Sequence, residues 1–236
     1  MMSAAVLCFP PAGAGASFFH PWIGRRDGLT VIPVELPGRE KRFAEPECED
    51  LDTLVATILP ELRAAVAGFG HVAVFGHSFG ALLAYEAARA LAGDPGLPGM
   101  TLVVSGATWP GRPRPGRVTG LPDEEFIARV EAIAGYKHPA LDEPELRELV
   151  LPPLRADAAM HESYRFTPRE PLDVPVVAVR GTADTLVSAE DTAEWAGVTR
   201  GGLTLAEIGG GHMYLVDAWP DVLDLIARSV GAGTPS

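Results

Sequence analysis

Two hydrophobic periods alternate along this chain, and the switches between them mark out its elements. Short apolar runs of strand length recur at residues 4–9, 29–35, 71–75, 100–104, 174–180 and 203–208. Between them lie stretches of helical period. Leu51, Leu54, Val55, Ile58, Leu62 and Val66 form one apolar face, with Pro60 expected to interrupt or kink that helix. Residues 81–91 are rich in Ala and Leu and contain no Gly or Pro, which predicts a second helix. Further helices are predicted at 18–23, from an N-cap at Ser188 to Trp195, and at 219–230. Strand and helix alternating in this way predict an α/β fold, a mostly parallel central sheet with helices on both faces.

The rhythm stops between about residues 121 and 166. Asp123, Glu124 and Glu125 put acidic residues in the first turn of a helix starting at Pro122. Residues 144–150 and 154–164 read as two more helices. The expectation is one domain over 1–236, with a helical insertion at about 121–166 lying as a lid over the C-terminal edge of the sheet. The tail, 231–236, is expected to fray.

The chain's most informative stretch joins a strand to a helix through Gly76-His77-Ser78-Phe79-Gly80. G-x-S-x-G between a strand and a helix is a nucleophile elbow, whose turn is too sharp for side chains at its flanks and exposes the serine hydroxyl. Serine is a weak nucleophile at neutral pH. It needs a base, and the base needs a carboxylate to fix its tautomer. In hydrolases of α/β fold the chain order is Ser, acid, His. Asp184 and His212 meet that order, each directly after a late predicted strand. Of the other histidines, His20 and His71 precede Ser78, His77 sits inside the elbow, and His138 and His161 fall in the insertion. Among other acids, Asp173 precedes its strand, Asp191 lies in a helix and Asp157 lies in the insertion. An oxyanion would be held by the Phe79 N–H and by a second N–H from the small-residue loop after the first strand, residues 10–17.

Composition narrows the picture. The 236 residues carry 19 Lys and Arg against 31 Asp and Glu, a net charge of −12, which argues against nucleic acid. Residues 121–236 hold most of the excess acid, 9 basic against 20 acidic residues. One basic cluster stands out, Arg112, Arg114 and Arg117. By itself it reads as a solvated loop. Cys8 and Cys48, the two cysteines, imply neither a metal site nor a disulfide framework. Met1 to Leu7 lacks the positive flank of a signal peptide and no apolar run is long enough for a membrane span, so a cytoplasmic protein is expected.

Six segments together carry a resemblance. They are Phe9-Pro10-Pro11-Ala12-Gly13-Ala14-Gly15-Ala16-Ser17-Phe18, Val34-Glu35-Leu36-Pro37-Gly38-Arg39, Gly76 through Glu86, Ser105-Gly106 with Pro110-Gly111-Arg112-Pro113, Leu151-Pro152-Pro153-Leu154-Arg155-Ala156-Asp157, and Gly210-Gly211-His212-Met213. The chain resembles the type II thioesterases, the stand-alone editing enzymes of polyketide and nonribosomal peptide synthesis, in the α/β-hydrolase superfamily. Two departures are visible. Thr185 follows Asp184 where relatives often carry a second acid, and Ala134-Gly135-Tyr136-Lys137-His138-Pro139 replaces a Gly- and Pro-rich turn.

The resemblance implies hydrolysis of acyl thioesters carried on the phosphopantetheine arm of an acyl or peptidyl carrier protein. It implies Ser78, His212 and Asp184 as the triad, Phe79 and Ala12 as the oxyanion donors, an acidic carrier that Arg112, Arg114 and Arg117 would receive, and no metal or dissociable cofactor. Three other readings stay open at this point: a general carboxylesterase or lipase, a carrier-protein acyltransferase, and a non-enzymatic binder on the same fold.

Overall fold

The computed structural model describes residues 3–92, 94, 96–112, 116–136 and 139–231. Six strands, β1 Ala4–Phe9, β2 Leu29–Pro33, β3 His71–His77, β4 Gly99–Ser105, β5 Val176–Gly181 and β6 Leu203–Ile208, form one sheet. Its order is β2-β1-β3-β4-β5-β6, and every pairing is parallel. A parallel sheet must be covered on both faces. One face is packed by α1 Leu51–Val66 and α2 Phe79–Leu91, through Leu54, Ile58, Leu83 and Tyr85. The other is packed by α6 Trp219–Gly231 and the 3-10 segment Ala16–Trp22, through Phe19, Trp22, Val222 and Ile226. Most of the predicted apolar runs are buried between these layers; the edge strand β6 is not, with Leu205 53% exposed.

All strands point the same way, so β1, β3, β5 and β6 end on one sheet edge. The loops that follow them meet there, as ligand sites do in open α/β sheets. α3 Asp123–Ala134 and α4 Pro144–Ser163 interrupt the alternation between β4 and β5, with a 3-10 turn at Pro139–Leu141. Their small core is Val118, Phe126, Ile127, Leu141, Leu151 and Leu154. α5 Ala189–Ala193 starts at the expected N-cap Ser188, which forms a capping box with Asp191.

Three predicted details differ. The two helices expected at 144–150 and 154–164 are one, running through Pro152 and Pro153, because burial of Leu151, Leu154 and Met160 outweighs the breaker propensity. α1 likewise continues through Pro60. β2 ends at Pro33, two residues early, since a proline offers no N–H to extend the ladder. No helix among the described residues is long and apolar enough to cross a membrane. The tail beyond 231 lies outside the described residues, as do Lys137 and His138 of the insertion.

Candidate active site

At the end of β3 the backbone turns through Ser78, with φ 55° and ψ −117°, a conformation that non-glycine residues avoid. Two glycines make the turn possible. A Cβ on Gly76 would lie 1.9 Å from the Gly80 carbonyl oxygen. A Cβ on Gly80 would lie 2.4 Å from the Phe9 oxygen and 2.5 Å from that of Pro10. The elbow therefore packs backbone against backbone, and the loop after β1 rests directly on the first turn of α2. The Ser78 N–H donates to the Ser105 carbonyl at 2.8 Å, which ties the elbow to the end of β4. Among the described residues the Ser78 hydroxyl makes no hydrogen bond. Phe79 opens α2, so its N–H is one of the helix-start donors without an intrahelical acceptor.

Asp184 and His212 come together from the loops after β5 and β6. His212 Nδ1 lies 2.9 Å from Asp184 Oδ2, and both residues are buried. Asp184 Oδ1 accepts from the N–H groups of Leu186 at 2.8 Å and Val187 at 3.2 Å. Burial opposes charge on Asp184, but His212 and these two N–H groups outweigh it and hold the carboxyl below its ordinary range. The carboxylate accepts a hydrogen bond from Nδ1–H of His212, the tautomer that leaves Nε2 as the ring's acceptor nitrogen. The Ala183 N–H donates to the Gly210 carbonyl at 2.8 Å, joining the two loops. Gly210 has φ 124°, which only glycine adopts without strain.

Behind the base lies a chain of which sequence reasoning placed only His77, beside the site. His77 is fully buried, its Nδ1 2.8 Å from Ser105 Oγ, and Ser105 Oγ is 2.5 Å from the Tyr214 hydroxyl. The His77 ring centroid is 5.1 Å from that of His212. Burial, and then His212, hold the His77 imidazole well below its ordinary value, while burial raises the Tyr214 hydroxyl. His77 is thus a neutral wall beside the base. Ser105 is a motif residue and Tyr214 follows one, but nothing in their spacing announces the contact.

Ala12, expected as the second oxyanion donor, sits in the loop against the elbow and packs on the lid core. Asp157, set aside as the acid, is far from idle: it is 0% exposed and bound to Arg39 and to the Gly13 N–H. The basic cluster is not assembled as a free patch. Arg112 pairs with Glu194 at 2.7 Å and with Asp191, and Arg117 is 82% exposed with Nε 3.7 Å from Glu162. Arg114 lies outside the described residues.

The family model described as Thioesterase domain matches residues 4–230. Thioesterase PikA5 of Streptomyces venezuelae is 34% identical over 226 residues, which cover 94% of this chain and 79% of that protein. The gramicidin S biosynthesis protein GrsT of Aneurinibacillus migulanus is 29% identical over 227 residues, 95% of this chain and 88% of its own length. Among solved structures, the type II thioesterase BorB from the borrelidin biosynthetic cluster superposes with a TM-score of 0.86 at 35% identity, covering 97% of this chain and 93% of BorB. YbtT, a type II thioesterase from the yersiniabactin pathway, gives a TM-score of 0.84 at 28% identity, covering 98% and 94%.

Proposed function

The chain belongs to the thioesterase domain family, among its type II members, and from that premise we propose that Ser78, His212 and Asp184 hydrolyse acyl thioesters borne on carrier proteins. The observation that carries this assignment is the pairing of a strained, half-buried elbow serine with a buried Asp184–His212 couple on the same sheet edge.

His212 Nε2 takes the hydroxyl proton as Ser78 Oγ bonds to the thioester carbonyl carbon. The oxyanion lies between the Phe79 and Ala12 N–H groups, donors of a kind each worth about 2.7–4 kcal/mol. The C–S bond then breaks, and the departing sulfur takes the proton from His212. Water next gives a proton to His212 and bonds to the acyl carbon. The C–O bond to Ser78 breaks, its oxygen recovers the proton, and the free acid leaves. This chemistry uses no metal or dissociable cofactor. Its biological role is clearance of aberrant acyl groups in polyketide or nonribosomal peptide synthesis, as the relatives' pathways support. The acyl-bearing partner is an acyl or peptidyl carrier protein. Of the two described residues of the cluster expected to receive it, Arg117 has the more exposed charge, because Arg112 is already engaged by two carboxylates.

Mass spectrometry of a panel of acylated carrier proteins, before and after incubation with enzyme, tests the reading. Wild type should release acyl groups as free acids and Ser78→Ala should release none. Turnover by Ser78→Ala would sink the serine mechanism. Activity on simple esters but on no carrier thioester would favour the general esterase.

A further inference from the structure

The LPGR and LRAD segments meet where neither touches the triad. Arg39 follows β2 and Asp157 lies on α4, and their side chains form a two-pronged ion pair, with Nη1–Oδ2 and Nη2–Oδ1 both 2.7 Å. The pair is almost entirely removed from water, Arg39 being 7% exposed and Asp157 0%. Burying two charges is costly, and such a pair is weak evidence for stability by itself. What distinguishes this one is a third partner. Asp157 Oδ2 also accepts the Gly13 N–H at 2.8 Å, and Arg39 Nη1 donates to the Ala14 carbonyl at 3.0 Å.

Both groups therefore hold the backbone immediately after Ala12. Gly13 has φ 76°, and a Cβ there would meet Leu154 Cδ1 at 2.8 Å, so α4 seats directly on the loop through Leu154 and Asp157. The next residue after Arg39, Glu40, accepts from the Ser17 N–H at 3.1 Å and so grips the far end of the same loop. Electrostatics favour the same assignment. A lone carboxylate one residue from an oxyanion donor would oppose the developing charge, and Arg39 neutralises it in place. Burial works against charge on Arg39, but Asp157 outweighs that and keeps its pKa raised.

We propose that Arg39 and Asp157 are positioning residues for the oxyanion hole, clamping Gly13 and Ala14 so that the Ala12 N–H faces the reacting carbonyl. This rests on the Ser78 mechanism and on Ala12 as a donor. It also makes α4 part of the catalytic frame, and not only a cover.

The test uses the full chain and an acyl N-acetylcysteamine thioester, which needs no carrier docking, with Asp157→Asn, Arg39→Lys and the double variant Arg39→Met/Asp157→Leu. The measurements are kcat, KM, melting temperature, and affinity for an acyl trifluoromethyl ketone, whose adduct with Ser78 carries an oxyanion. In each folded variant kcat should fall at least about tenfold, toward the roughly 10²–10³-fold lost when one oxyanion donor is removed. KM should stay within about threefold, and ketone affinity should fall in parallel with kcat/KM. The double variant should regain melting temperature without regaining kcat, because apolar replacement of a buried pair is often neutral for stability. Wild-type kcat in any folded variant, or recovery of kcat together with melting temperature in the double variant, overturns the proposal. So does failure of all three to fold, since the pair would then serve folding and not positioning. Ser78→Ala is run in parallel. If it loses turnover while Asp157→Asn does not, only the clamp is wrong; if it retains turnover, the serine mechanism itself falls.

Discussion

The loop after β1 is gripped from two sides, and the grips are made of different material. On the elbow side the contact is backbone on backbone, Gly80 against the carbonyls of Phe9 and Pro10. On the lid side it is made by side chains, Leu154 and Asp157 against Gly13. A backbone contact admits no side chain at all, so residue identity there is absolute. A side-chain contact constrains volume and charge, so other residues could reproduce it. The elbow side should therefore fail abruptly on substitution and the lid side by degrees.

The largest effect should come from the chemistry that the elbow faces. Asp184→Asn should lower kcat by roughly 10³–10⁴-fold, as loss of the orienting carboxylate does in serine triads. The melting temperature should change little. Steady-state kinetics with thermal unfolding would check this, and a silent substitution would mean the acid is misassigned. Next comes a direct trial of the contrast. Gly80→Ala should destabilise by about 3 kcal/mol or more, since the added methyl meets main-chain atoms that cannot move aside. Leu154→Met should cost less than about 1.5 kcal/mol. Urea denaturation of both would erase the distinction if their losses were equal.

A third prediction concerns pH. His77 is held neutral in the fold, facing Ser105, Tyr214, His212 and Asp184, with its pKa well below its ordinary 6.5. The unfolded chain therefore binds more protons as pH falls below about 6.5, and stability should drop through that window. Asp184 has its pKa depressed from 3.8, so its contribution is lost only at lower pH and does not confuse the reading. His77→Gln should flatten the profile between pH 7 and pH 5, measured by denaturation at each pH. An unchanged slope would mean that another group carries it. The smallest effect belongs to the loop between β4 and α3. Arg117→Glu should raise KM for a carrier-bound substrate a few-fold, less so at high salt, and leave the small thioester unaffected. Equal changes on both substrates would make Arg117 part of the pocket.

Much of this was legible in the chain itself. β1, α1 and β6 fall where their apolar periods put them, and the elbow, Asp184 and His212 followed from motif and order. Local pattern reaches that far because each of those elements is decided by neighbours in sequence. The unbroken α4 was not legible, because distant packing overrides two prolines. Nor was the clamp, whose partners are 118 positions apart. Arg39 and Asp157 look like a turn cation and a helix acid until the fold closes over both. The pairing of Arg112 with Glu194 was hidden in the same way, across 82 positions.

The two prolines inside α4 have a mechanical meaning. Each lacks an N–H, so the carbonyls of Glu148 and Leu149 lose their helical partners in succession. Ahead of that gap, Leu146 and Leu149 stand exposed, Leu149 by 71%; behind it Leu154, Asp157 and Met160 are locked down. A rod with two adjacent rungs missing bends there without breaking any further rung. The joint thus lets the front of the helix flex while its rear stays bolted through Asp157 to the loop after β1.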